Sequence, residues 1–91
     1  MAVVLIADIP TMTSEQYRNA IDQVRAQLVA APGFLAHAGT PMAEGFRVTE
    51  IWESRDDCQR FLERVIMPMA QQVGIPPFQP QFIEADEAFI R

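Results

Sequence analysis

The spacing of apolar residues divides the chain into six elements. Ala2 to Ile9 (AVVLIADI) is a β-branched apolar run closed by Pro10, which predicts a buried strand. Thr13 stands three residues before Gln16, the spacing of a capping box. From there Tyr17, Ala20, Ile21, Val24, Leu28 and Ala31 recur at helical spacing, and Pro32-Gly33 ends the helix. A second extended stretch runs from Phe34 to about Thr40, with a turn over Pro41 to Gly45. Phe46 to Glu53 (FRVTEIWE) alternates cleanly: Phe46, Val48, Glu50 and Trp52 share one face, and Arg47, Thr49, Ile51 and Glu53 the other. Ser54 caps a second helix with an apolar stripe of Cys58, Phe61, Leu62, Val65, Ile66 and Met69. Pro68 should kink that helix or start a fresh turn. Gly74 to Pro80 is a stiff connection, and a last strand is expected over roughly Gln81 to Phe89.

The order β-α-β-β-α-β predicts an α+β, ferredoxin-like domain spanning residues 1–91, with four antiparallel strands and two helices on one sheet face. The other face would be bare. A chain of 91 residues buries little apolar area by itself, so a second copy is the expected cover and a homodimer the expected state.

Composition narrows the function. Seven Arg and no Lys stand against twelve acidic residues, and the net charge of −5 disfavours a nucleic-acid backbone as partner. No apolar run approaches the ~20 residues of a membrane span. The amino terminus lacks the basic start and cleavage site of a signal peptide. The single Cys58 forms no internal disulfide and suits a cytoplasmic, reducing location. One His and one Cys provide no zinc or iron–sulfur spacing, and no phosphate loop is present, so no metal or cofactor is expected.

Pro32-Gly33-Phe34 at the start of the second strand, and Trp52-Glu53-Ser54 before an acidic helix start, resemble the antibiotic biosynthesis monooxygenase-like family. That resemblance, carried over nearly the whole chain by element order and length, implies a dimeric α+β barrel. Members include cofactor-independent quinone-forming oxygenases and haem-degrading enzymes. Where the oxygenases often place an Asn, four residues before the Trp, this chain has Val48. The stretch from Ser54 to Gly74 carries none of the His that haem-degrading members use as an axial ligand.

The candidate chemistry lies on the strands. Glu50, between Val48 and Trp52, falls on an apolar face, where a lone carboxylate is costly unless paired. It is either a general acid or base with a raised pKa, or an ion-paired or water-reached group. His37 sits mid-strand. With one hairpin register it meets Glu50 as a carboxylate-oriented base; a slip of one residue sends it to the dimer side. Trp52 either packs in the core or forms a wall on which a planar substrate stacks. Tyr17 either sends its hydroxyl into the same cavity or covers the core edge. Cys58 reads as an inert core thiol. Three functions compete. The first is a small cofactor-independent enzyme acting on an aromatic, quinone-like or polyketide-like molecule, by oxygenation or by proton-transfer isomerisation or cyclisation. In it His37 and Glu50 are catalytic, and Trp52, Tyr17 and Val48 bind substrate. The second is a non-catalytic binder of an apolar ligand, and the third an accessory dimeric protein.

Overall fold

The computed structural model describes residues 1–91. Strand β1 (Val3–Pro10) leads into helix α1 (Ser14–Ala30), followed by the hairpin of β2 (Phe34–Met42) and β3 (Gly45–Trp52). A second helical stretch comprises α2 (Arg55–Phe61), a single π turn (Leu62–Ile66) and α3 (Met67–Val73), and β4 (Gln81–Glu84) closes the order. The sheet is antiparallel throughout, in the order β2-β3-β1-β4. This is the expected α+β, ferredoxin-like arrangement.

Local chemistry explains most boundaries. The Thr13 hydroxyl accepts from the Gln16 amide, and the Gln16 side chain accepts from the Thr13 amide, so the capping box opens α1. Ala20, Val24 and Leu28 then bury one stripe against the sheet. Gly33, at φ +82°, takes the left-handed turn that leads into β2. Its carbonyl accepts from the Glu53 amide at 2.7 Å, tying this turn to the end of β3. Ser54 caps α2 through its hydroxyl, with Asp56 and Asp57 in the positive first turn.

Three boundaries depart from expectation. Strand β2 runs through Pro41 to Met42, so the expected turn over Pro41 to Gly45 shrinks to Ala43-Glu44; β2 is an edge strand, where a proline costs no ladder bond. The disturbance around Pro68 precedes it: the helix widens into a π turn over residues 62–66, and α3 restarts at Met67 with Pro68 in its first turn. Proline has no N–H to give the preceding turn, and the Met67 amide just before it bonds back five residues to Leu62 instead of four. Strand β4 ends at Glu84 instead of near Phe89. Glu84 already pairs with Val3, the first residue of β1, so the edge it follows has run out.

The helix-side face of the sheet holds Val3, Leu5, Ala7 and Ile9 of β1 and Phe46 and Trp52 of β3, all buried. The far face carries Val4, Ile6, Ile51 and Ile83, with a forked Arg47–Asp8 pair at 2.7 and 3.0 Å. There Val4, Ile6 and Ile51 are half-buried and Ile83 is exposed.

Candidate active site

The β2–β3 register puts His37 directly opposite Glu50 and Gly39 opposite Val48, so the side chains of His37, Val48 and Glu50 point toward the helices and Gly39 leaves a gap beside them. Helix α1 lays Tyr17 over them. The result is one hydrogen-bonded line of four side chains. Tyr17 Oη lies 2.5 Å from His37 Nε2, His37 Nδ1 lies 2.7 Å from Glu50 Oε2, and Trp52 Nε1 donates to Glu50 Oε1 at 2.9 Å. Glu50 is 7% exposed and is the one buried charged residue of the protein. Both its oxygens have partners, as do all buried side-chain nitrogen and oxygen atoms.

The protons follow from this inventory. Indole N–H can only donate, so Glu50 Oε1 accepts. An ionised Glu50 then draws the imidazole proton to Nδ1, which leaves the Nε2 lone pair facing Tyr17, whose hydroxyl donates to it. If His37 gains a proton, Nε2–H donates instead and the Tyr17 oxygen becomes the acceptor. The line therefore has two proton arrangements that differ by one proton and need no movement of heavy atoms. Burial pushes the Tyr17 hydroxyl pKa above its usual value; Arg25 pulls the other way, and Glu50 adds to the rise.

Gly39 makes room for Tyr17. A Cβ there would lie 2.6 Å from Tyr17 Cζ and 2.8 Å from Phe46 Cε1. Lacking it, the phenol ring stacks on Phe46 with centroids 4.2 Å apart and an interplanar angle of 19°.

Tyr17, His37, Val48 and Glu50 all line a cavity of about 70 Å³ between sheet and helices. Fifteen of its seventeen lining residues are hydrophobic, His37 and Glu50 being the other two. Trp52 does not line it. With no exposed surface, its ring packs edge-on to Phe34 and against Phe61, so the stacking wall expected of it has no free face. Its link to the site is the hydrogen bond to Glu50. Cys58 is also core, its thiol pKa pushed up to about 12 by burial first and by Glu50 second. Met12, Ile75 and Phe78 complete the cavity from connecting segments, where no periodicity marks them. No three potential metal-ligating side chains gather anywhere in the chain.

No family model matches the sequence, and neither does any curated protein. Solved structures do match along nearly the full length. A single-site variant of SnoaB, a cofactor-independent oxygenase from Streptomyces nogalater, superposes with a TM-score of 0.74 at 14% identity, covering 99% of this chain and 98% of that one. Rv0793 from Mycobacterium tuberculosis gives 0.75 at 18% identity, with 98% and 100% covered. A Nitrosomonas europaea protein provisionally described as an antibiotic biosynthesis monooxygenase gives 0.74 at 17%, with 93% and 90% covered. The chain has the fold of the antibiotic biosynthesis monooxygenase-like proteins.

Proposed function

We propose that this protein is a small cofactor-independent enzyme acting on a hydroxylated aromatic or quinone-like molecule, with His37 as its base. The observation that carries this reading is the Tyr17–His37–Glu50 line set into an otherwise apolar cavity. A substrate hydroxyl against Tyr17 passes its proton to the phenol oxygen as the phenol proton moves to His37 Nε2. Glu50 holds the imidazole and stabilises the imidazolium that forms. The phenolate or enolate left behind is electron-rich. It can take a proton back at carbon, which is isomerisation. It can also reduce dioxygen, a phenol and one O2 giving a quinone and one water. Likeness to the SnoaB fold supports the second outcome without selecting it.

The bare sheet face supports a homodimer, with Val4, Ile6, Ile51 and Ile83 as its apolar contacts. A cytoplasmic setting suits its single free thiol. The small volume of the cavity favours a second reading, a non-catalytic binder or accessory dimeric protein.

Deuterium exchange separates the two. In D2O the protein should accelerate exchange at an acidic ring C–H of a hydroxyquinone, and His37→Gln should slow it by about 10²–10⁴-fold. No acceleration, or full acceleration by His37→Gln, would sink the enzymatic reading.

A further inference from the structure

The inner cavity is too small for the substrate proposed for it. At about 70 Å³ it falls well below the ~300 Å³ at which ligand pockets begin. Beside it runs a groove of about 510 Å³ between α1 and the segment that follows α3. Three residues, Met12, Ala20 and Ile75, line both spaces and form the partition between them. A methyl group, an isoleucine and an unbranched methionine make a thin wall, and the methionine is the part most easily repacked. Thr11, just before it, holds φ at +63°, a left-handed conformation that a β-branched residue rarely adopts. Backbone strain of this kind concentrates at ligand clamps and switch segments.

The two spaces differ in chemistry. The cavity is apolar apart from His37 and Glu50. The groove presents Thr11, Gln16, Asn19 and Gln23, and no charged side chain lines it. In a chain of net charge −5, an anionic group would meet no cation there.

We propose that cavity and groove are two halves of one site for an uncharged amphipathic molecule. A single hydroxylated aromatic ring lies inside against Tyr17 and His37, and a neutral hydrogen-bonding arm such as a sugar lies outside along α1. Met12 and Ile75 are the partition that yields. This inference rests on the function proposed above and names the substrate class of that same site. Specificity for the arm comes from Asn19 and Gln23, whose amides offer both donors and acceptors.

The test compares hydroquinone, its glucoside and its glucuronide by isothermal titration calorimetry on the full chain. The ring resonances of His37, the single histidine, are followed in parallel. Hydroquinone should shift those resonances. The glucoside should bind about tenfold tighter than hydroquinone, a gain of about 1.4 kcal/mol, and the glucuronide should lose that gain. In Asn19→Ala/Gln23→Ala the glucoside should fall to the affinity of hydroquinone. Both are exposed helical positions where alanine favours the helix. A glucoside no tighter than hydroquinone, a glucuronide as tight as the glucoside, or a double variant that keeps the gain would each overturn the two-part site. If hydroquinone leaves His37 unmoved, the proposed function itself fails and the inference with it. If hydroquinone moves His37 and the glucoside gains nothing, the two-part site alone fails.

Discussion

Trp52 and Glu50 lie two residues apart on one face of β3, and the indole N–H of the first donates to the carboxylate of the second at 2.9 Å. One end of the active line is thus anchored in the hydrophobic core. Trp52→Phe keeps most of the ring and strips one donor from a buried carboxylate, which should cost about 1–3 kcal/mol. Trp52→Ala also empties a core position and should cost about 3–5 kcal/mol. Urea denaturation followed by circular dichroism measures both, and a negligible loss in Trp52→Phe would show that the hydrogen bond contributes nothing.

Glu50→Gln should reverse the proton order of the line. The amide has one acceptor for two donors, and the indole N–H holds the shared side, so the amide NH2 turns toward His37 Nδ1 and donates. The imidazole proton then moves to Nε2 and Tyr17 becomes the acceptor. Nitrogen-15 shifts of the ring report the tautomer directly. An unchanged tautomer would contradict the assignment made for the native line.

Gly39→Ala should displace Tyr17 without breaking the hairpin, because the added methyl meets the phenol ring and Phe46 rather than backbone. Exchange activity should fall toward that of Tyr17→Phe. The ultraviolet titration of the single tyrosine should also drop toward its ordinary pKa as the ring gains water. A variant that still titrates like the native protein would mean the ring had not moved.

Cys58 gives a pH dependence of known sign. Its thiol is neutral in both folded and unfolded chains below the ordinary value of 9.0, so stability is undiminished there. Between 9.0 and about 12 only the unfolded chain ionises, and stability is lost as pH rises through that window. The raised Tyr17 pKa acts in the same direction. Urea midpoints across alkaline pH should slope downward, and Cys58→Ala should flatten the slope. Thiol reagents should modify Cys58 only after denaturation.

The homodimer is tested by light scattering at tens of micromolar, where the native chain should give twice its monomer mass. Ile6→Arg places a charge on the bare sheet face and should leave a folded monomer. A native monomer would remove the sheet face as an interface.

Much of this arrangement was legible in the chain itself. Strict alternation from Phe46 to Trp52 put Glu50 on the inner face. The register opposite it stayed open, because a turn spread over Pro41 to Gly45 does not set the phase; closure through Met42 and Gly45 is what brings His37 to Glu50. Depth was not legible. Alternation tells which way Trp52 points, but Phe34 and Phe61, from two other elements, decide that nothing reaches its surface. Met12, Ile75 and Phe78 escaped notice because connecting segments carry no period to read. The length of β4 depended on where β1 begins, a property of the neighbouring strand.

The irregularity between Phe34 and Ala36 has a consequence for the descent of this pocket. Phe34 and His37 are three residues apart, an odd step that would ordinarily send them to opposite sides of the sheet. The bulge at Leu35 absorbs one position, so Phe34 can pack on Trp52 while His37 meets Glu50, two residues from Trp52 on the facing strand. A regular strand that kept Leu35 would have to choose: holding the hairpin phase saves the histidine and turns the phenylalanine out of the core, and holding the phenylalanine sends the histidine to the far face. Losing the codon for Leu35 removes the dilemma, because Phe34 and His37 then stand two residues apart and keep the same partners in a regular ladder. Chemistry and packing are reconciled through a count of one, and a lineage could shed the bulge there without emptying the pocket.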